Sequence, residues 1–249
     1  MYSVSLWAAE FGLTLGQVAT DEKSNEITAI PELLRLVAVT GAILTIDARG
    51  TQTALATEVV VGGADDVLAL KGNQEKRHEA VVAYVAEQMQ TDFSDSGARR
   101  LVTPEQSHGR VEQRIVSPMP APPSLPGFGR GTGLKTIAVV MLMSLRDGKE
   151  TYASRYFISS LGMGVKRIAH AVRSHWGIEN ACHWSLEITY REDESRIREV
   201  VLRENFAWLN RFTLSLLKQH TNGHSLAMQR RRCGWNFDVL LEVLNAQTT

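Results

Sequence analysis

The chain has 249 residues, sets 27 Lys and Arg against 27 Asp and Glu, and is 44% hydrophobic and 22% charged, which describes a globular chain of one large or two small domains and excludes a disordered one. Its two cysteines, Cys182 and Cys233, are too few for a disulfide framework and fit a reducing, cytoplasmic setting. Met1–Ala9 carries no Lys or Arg and the longest apolar run, Thr136–Leu145, is too short to span a bilayer, so neither a secretory leader nor a membrane role is expected.

The zero net charge conceals an asymmetry. Residues 1–100 hold 8 Lys and Arg against 14 Asp and Glu, whereas residues 101–249 hold 19 against 13. A basic half suits a polyanion and an acidic half suits metal ions, although ordinary solvated surfaces account for the same numbers.

In chain order, Tyr2–Ala8 and Leu13–Thr20 alternate in polarity around Phe11-Gly12 and predict a hairpin. Ser24 or Asn25 is an N-cap for a helix running to about Val39, with Ile27, Ile30, Leu34 and Val37 on its apolar face and Gly41 at its end. Ala42–Asp47 reads as a short strand buried on both faces. A helix over Thr51–Val61, a second buried strand over Asp66–Leu70 and a long helix over Gln74–Gln90 follow, an order that implies a mixed α/β sheet covered by helices. Pro118, Pro120, Pro122, Pro123 and Pro126 mark a linker-like stretch between strands expected over Gly109–Ser117 and Leu134–Leu145, and Tyr152–Ser159 adds another. Residues 99–160 therefore read as a β insertion. Gly164–Tyr190 and Glu199–His220 are the strongest helices, the latter with Leu202, Phe206, Leu209, Phe212 and Leu216 as its core stripe, ahead of a basic tail containing Arg230-Arg231-Arg232.

Chemistry concentrates at four places. On a helix, Trp176, Glu179 and His183 share one face with Val172 and Leu186, so Glu179 needs a buried partner: a metal ion, or an arginine. The four-residue spacing of His175, Glu179 and His183 also raises a zinc site, yet three ligands on successive turns of one straight helix do not converge on an ion at about 2 Å. Asp47 ends a strand, where ligands of open α/β sheets gather, and capping the next turn is its alternative role. Lys71-Gly72-Asn73-Gln74 should emerge at the same edge, as a phosphate- or base-contacting loop or as an ordinary helix start. His108, Arg110 and Arg114, Arg173, and Arg191, Arg196 and Arg198 are further phosphate-contact candidates, with ion pairing to Glu192, Asp193 and Glu194 the competing role for Arg196 and Arg198. Cys182 reads as a small buried side chain.

Seven ordered segments, Asp21–Leu34, Thr45-Ile46-Asp47-Ala48, Leu70–Gln74, Ser107-His108-Gly109-Arg110, Tyr156–Ser160, His175–Asn180 and Arg191–Arg198, resemble the ISAs-family, or H-repeat-associated, insertion-sequence transposases from residue 3 to about 220. The resemblance implies a ribonuclease-H-like mixed sheet with flanking helices and a β-rich insertion. It implies a DDE enzyme whose Asp, Asp and Glu hold two Mg2+ or Mn2+ ions about 4 Å apart for in-line phosphoryl displacement. Asp47 matches the second Asp and Glu179 the Glu; DNA, both element ends and target, is the implied partner, for which the basic and amide residues named above are candidate contacts. A homo-oligomer stays open.

Two departures stand out. Leu186-Glu187 replaces the family's Leu-Asp, which keeps the charge. The family's Ile-Asp-Gly-Lys-like motif, carrying the first Asp on a central strand between the hairpin and the Asp47 strand, is absent from these residues. The expectation is a truncated or decayed transposase, or one read from a shifted start, lacking its first strand and inactive alone; Asp21 is a poor substitute because it precedes a helix. A non-catalytic DNA-binding remnant and, further off, a zinc-dependent hydrolase are the alternatives. The division expected is a core over 1–98, the insertion over 99–160, the rest of the core over 161–222 and the tail over 223–249.

Overall fold

The computed structural model describes residues 2–20, 26–48, 52–107, 110–129, 133–220 and 222–245. Asp21, Ser24, Asn25 and His108 lie outside them. The chain divides into two compact units, residues 1–37 with 174–249, and residues 38–173.

In the first unit, β1 (Tyr2–Ala8) and β2 (Leu13–Thr20) form the expected antiparallel hairpin, with a register shift between Leu6 and Trp7. A lone hairpin is marginal in water, and two helices support this one. Helix α1 (Glu26–Leu36) packs Leu33 so close to Gly16 that a Cβ there would lie 3.0 Å from it. The helix stops at Leu36, short of Val39, and Gly41 sits in a later turn. Its buried positions are Ala29 and Leu33, while Ile27 is exposed, so the inward face is rotated by about one residue from the expected one.

The second unit is built on one six-stranded sheet in the order β3-β4-β8-β7-β6-β5. Strand β3 (Ile43–Ile46) pairs in parallel with β4 (Asp65–Leu70), connected through α2 (Thr53–Val61). Helix α3 (Glu75–Gln90) follows. Strands β5 (Leu101–Ser107), β6 (Arg110–Pro120), β7 (Thr136–Arg146) and β8 (Lys149–Ser159) are antiparallel, and β8 pairs with β4, so these strands continue the sheet that carries Asp47. The α/β class with a mixed sheet and flanking helices is as expected. Val81 and Val85 of α3 close the core over Leu68, Leu70, Met119, Ile137, Val139 and Ile158.

Three expectations for this unit need correction. Strand β3 is not buried on both faces: it takes an edge of the sheet and only Leu44 is buried. The proline-rich stretch is not a linker at its start, because Pro118 and Pro120 lie within β6 around fully buried Met119. Pro118 accepts from the Arg99 N–H at 3.0 Å, and its missing N–H falls on the same side, beyond the end of β5, where no strand needs it. The strand β5 itself was not foreseen.

Helix α4 (Val165–Ile178) ends earlier than expected, and two π-helical turns, Glu179–His183 and Ser185–Thr189, complete the segment. Helix α5 (Val200–Gln219) begins on Glu199, whose carboxylate accepts from the N–H groups of Val201 and Leu202. It joins the hairpin through the Thr14 N–H to Ser215 Oγ at 3.0 Å, Arg211 to Ser3 Oγ at 3.1 Å, and Gln219 to the Phe11 carbonyl. Most of the expected α5 stripe faces outward: Leu202, Phe206, Leu209 and Phe212 are exposed and Leu216 is half-buried, while Leu214 and Leu217 are the buried leucines. The tail folds as α6 (Leu226–Trp235) and α7 (Phe237–Asn245).

At the start of β4, Asp66 is 4% exposed; its Oδ1 accepts from the Ser160 N–H at 2.9 Å, and Ser160 Oγ accepts from the Asp66 N–H at 2.9 Å. Burial pushes its carboxyl up from 3.8 to about 6, with Asp65 adding to the rise and the Ser160 N–H opposing it. The folded state thus holds the proton more tightly than the unfolded one. Stability present below pH 3.8 is lost as pH climbs through about 6, a difference of roughly 3 kcal/mol for a shift of this size. Asp66→Asn keeps an oxygen for the Ser160 N–H and should melt higher than the parent at about pH 7.5, with the gain gone at about pH 3.5. A variant less stable than the parent at the higher pH would contradict this.

Candidate active site

Parallel strands deliver their carboxyl ends to one sheet edge, and the β3–β4 register from Ile43↔Asp65 to Ile46↔Leu68 brings Asp47 and Lys71 out together. Asp47 Oδ1 accepts from the Ala48 N–H at 2.6 Å and from Lys71 Nζ at 3.1 Å. The turn-capping role and an ion pair with Lys71 are thus combined in one side chain, which is 56% exposed. Asn73, in a 3-10 turn at Gly72–Gln74, donates from Nδ2 to the Ala48 carbonyl at 2.5 Å and ties the Asp47 turn to the end of β4. Gln74 turns the other way: its Oε1 accepts from Arg77 Nη1 at 3.2 Å, and Arg77 Nε donates to the Pro126 carbonyl at 2.9 Å. Gly127, at φ +80°, leaves room for that guanidinium, because a Cβ there would sit 2.1 Å from Arg77 Nη2. Asp47, Lys71, Asn73 and Gln74 therefore belong to one corner of the second unit.

Glu179 belongs to the first unit and opens the first π-helical turn, with the Trp184 N–H donating to its carbonyl. The apolar residues buried along this segment are Cys182, Leu186 and Tyr190, in steps of four, packed with Leu214, and Ser185 is buried beside them. A π-helical turn takes about one residue more than an α-helical one, so the shared face of an ideal α-helix does not carry through. As a result Glu179 is exposed and not core-facing, which corrects the expectation that it needs a buried partner. Its Oε2 lies 3.1 Å from His183 Nδ1, the one contact the four-residue spacing foretold. Among the described residues no group of three His, Cys, Asp or Glu is arranged to hold a metal ion. Cys182 is buried, and burial pushes its thiol up, as befits a packing residue.

The expected phosphate contacts differ in availability. Arg114 is 7% exposed and, with Arg173, is held by Glu105, at 3.2 and 3.1 Å. Arg110 lies 3.2 Å from Glu112 and remains half exposed. Arg191 adopts φ 55°, breaks the helix after Tyr190 and pairs with Glu194. Glu192 is taken by Arg211 at 2.8 Å, so the acidic run does not serve Arg196 or Arg198, and both are exposed. That Arg211 clamp, linking Glu192, the Ala207 carbonyl and Ser3, went unseen because its partners lie far apart in sequence.

A family model described as the transposase DDE domain matches residues 2–217. The relative named "Putative transposase YncI", from Escherichia coli O157:H7, is 39% identical over 224 residues, covering 88% of this chain and 56% of the relative. "H repeat-associated putative transposase YhhI", from Escherichia coli strain K12, is 33% identical over 223 residues, covering 87% and 58%. The chain thus spans a little over half the length of these curated relatives.

The corner makes a stability prediction. Lys71 and Asp47 are both more than half exposed, and such pairs contribute about 0–1 kcal/mol. Asn73 closes a shorter, partly buried bond whose loss should cost about 1 kcal/mol or more. In urea titrations Asn73→Ala should therefore destabilise more than Lys71→Met. The reverse order would show that the ion pair, and not the amide, holds the Asp47 turn.

Proposed function

The chain belongs to the transposases with a DDE domain, and from that membership we propose that it forms part of the catalytic core of a DNA-transposing enzyme, with Asp47 and Glu179 as two of its three carboxylates. The observation that carries this reading is the Asp47 corner: a carboxylate delivered to the sheet edge by a parallel strand pair, exposed, and already facing a cation in Lys71. Carboxylate oxygens are the hard donors that Mg2+ and Mn2+ take. Both Asp47 and Glu179 are accessible from solvent, so the residue types fit such ions although the described residues show no assembled set of three donors. Ions bound in this way stabilise the attacking and leaving oxygens of a phosphoryl displacement.

The other residues then have separable tasks. Asn73 fixes the Asp47 turn, and His183 orients the Glu179 carboxylate. Lys71, Arg110, Arg196 and Arg198 are exposed cations for DNA phosphates, of element ends and target alike. Arg114 and Arg173 act first as counter-charges to Glu105. The 249 residues supply no Ile-Asp-Gly-Lys-like run for the remaining carboxylate, so this stretch by itself does not cut DNA. Among the described residues β3 is an edge strand, and such an edge is a natural place for a further strand to pair.

The test is cleavage and strand transfer on terminal-repeat DNA with Mg2+ or Mn2+. Residues 1–249 should be inactive. The same chain preceded by the N-terminal part of a full-length relative should cut. In that extended chain Asp47→Asn and Glu179→Gln should each lower the rate on the order of 100–1,000-fold, the equivalent of several kcal/mol of charge stabilisation. Robust cutting by residues 1–249 would overturn the inactivity, and an Asp47→Asn chain as fast as its parent would overturn the assignment.

A further inference from the structure

Helix α6 lies beyond the last residue of the matched family domain. Its inward face is held by several contacts. Gln229 is buried and donates to the His224 carbonyl at 3.0 Å. Arg230, the first of the three consecutive arginines, turns inward as well: its Nη1 donates to the Thr189 carbonyl at 2.7 Å and its guanidinium lies 4.7 Å from the centre of the Tyr190 ring. Ser225 caps the helix by accepting from the Met228 N–H.

The opposite face is of another kind. Met228, Arg231, Arg232 and Trp235 recur at three- and four-residue spacing and so line up along it. Trp235 is 75% exposed, and Phe237, one residue past the Asn236 that caps α7, is 70% exposed. Helix α6 holds no Asp or Glu. The acids on α7 are Asp238, in its first turn, and Glu242, which faces His220 at 4.0 Å.

We propose that this outward face of α6 binds a single-stranded stretch of nucleic acid, with Trp235 stacking on an unpaired base and Arg231 and Arg232 meeting the adjacent phosphates. The combination decides the class of partner. An apolar protein surface would strip water from two arginines without offering them a counter-charge. A polyanion with flat π faces satisfies both the cations and the rings at once, which is how sequence-tolerant single-strand sites are built. In a duplex the bases are stacked on one another, so an exposed indole gains little from it and the preference is for the single strand. Binding at this face needs no divalent ion.

The experiment is a fluorescence-anisotropy titration of the full chain into labelled oligo(dT) and into a duplex of equal length, in EDTA, at several salt concentrations. The single strand should bind more tightly than the duplex. Trp235→Ala should weaken single-strand binding about tenfold or more, whereas Trp235→Phe should retain most of it. The Arg231→Gln, Arg232→Gln pair should flatten the salt dependence by about 1.4 in log–log slope, the value for two phosphates of a single strand. No binding by the parent, or binding indifferent to Trp235, overturns the proposal. So does a Trp235 dependence seen only for anionic phospholipid vesicles or for self-association in sedimentation. Failure of the carboxylate assignment would appear in cleavage assays and would leave this titration unchanged.

Discussion

Four residues of parallel pairing, Ile43–Ile46 against Asp65–Leu68, set the position of everything chemical in the second unit. Strand β3 is short and, among the described residues, pairs with β4 alone, so its placement rests on this ladder. The Asp65 N–H donates to the Ala42 carbonyl and the Gly41 N–H to the Gly63 carbonyl, both under 3 Å, which clamps the entry to β3 against the entry to β4. Gly63 can make that turn because it sits at φ +78°. At the far end the same register delivers Asp47 beside Lys71, and Asn73 closes the corner. A slip of one residue would turn Leu44 out of the core and Asp47 away from Lys71 together.

The sequence made some of this plain and hid the rest for physical reasons. The hairpin, β4 and α3 were readable because period and turn chemistry agree there. That Asp47 and Lys71 emerge together followed from two apolar strands ending in polar residues. Strand β5 was obscured by Pro104 and by alternating Thr103, Glu105 and Ser107, which resemble a loop until a partner strand supplies the pairing. The β7–β8 connection, in contrast, carried a legible sign: Asp147-Gly148, both at positive φ, form a two-residue turn that specifies the hairpin on its own. Leu209 and Phe212 misled because periodicity marks an apolar face without saying whether anything covers it.

Glu179 was found at the right spacing and in the wrong environment. A helical wheel placed it inward, and the π-helical turns that begin at this residue leave it exposed beside His183. Such turns are uncommon and recur at functional sites, and nothing local in Glu179-Asn180-Ala181-Cys182-His183 announces one. An exposed carboxylate carries no desolvation penalty before a cation arrives, as a buried one would. The same reasoning sorts the arginines. Arg114, Arg173 and Arg211 are committed to Glu105 and Glu192, whereas Arg196 and Arg198 stay exposed.

Fe2+ gives a direct reading of the proposed divalent-cation ligands Asp47 and Glu179, because iron bound in place of Mg2+ generates radicals that cut the nearby backbone. With ascorbate and peroxide, the chain extended by the N-terminal part of a full-length relative should be cut beside residue 47 and beside residue 179. Excess Mg2+ and the Asp47→Asn, Glu179→Gln double variant should each abolish those cuts. Cutting confined to other acidic positions, such as Asp65-Asp66, or insensitive to Mg2+, would contradict it.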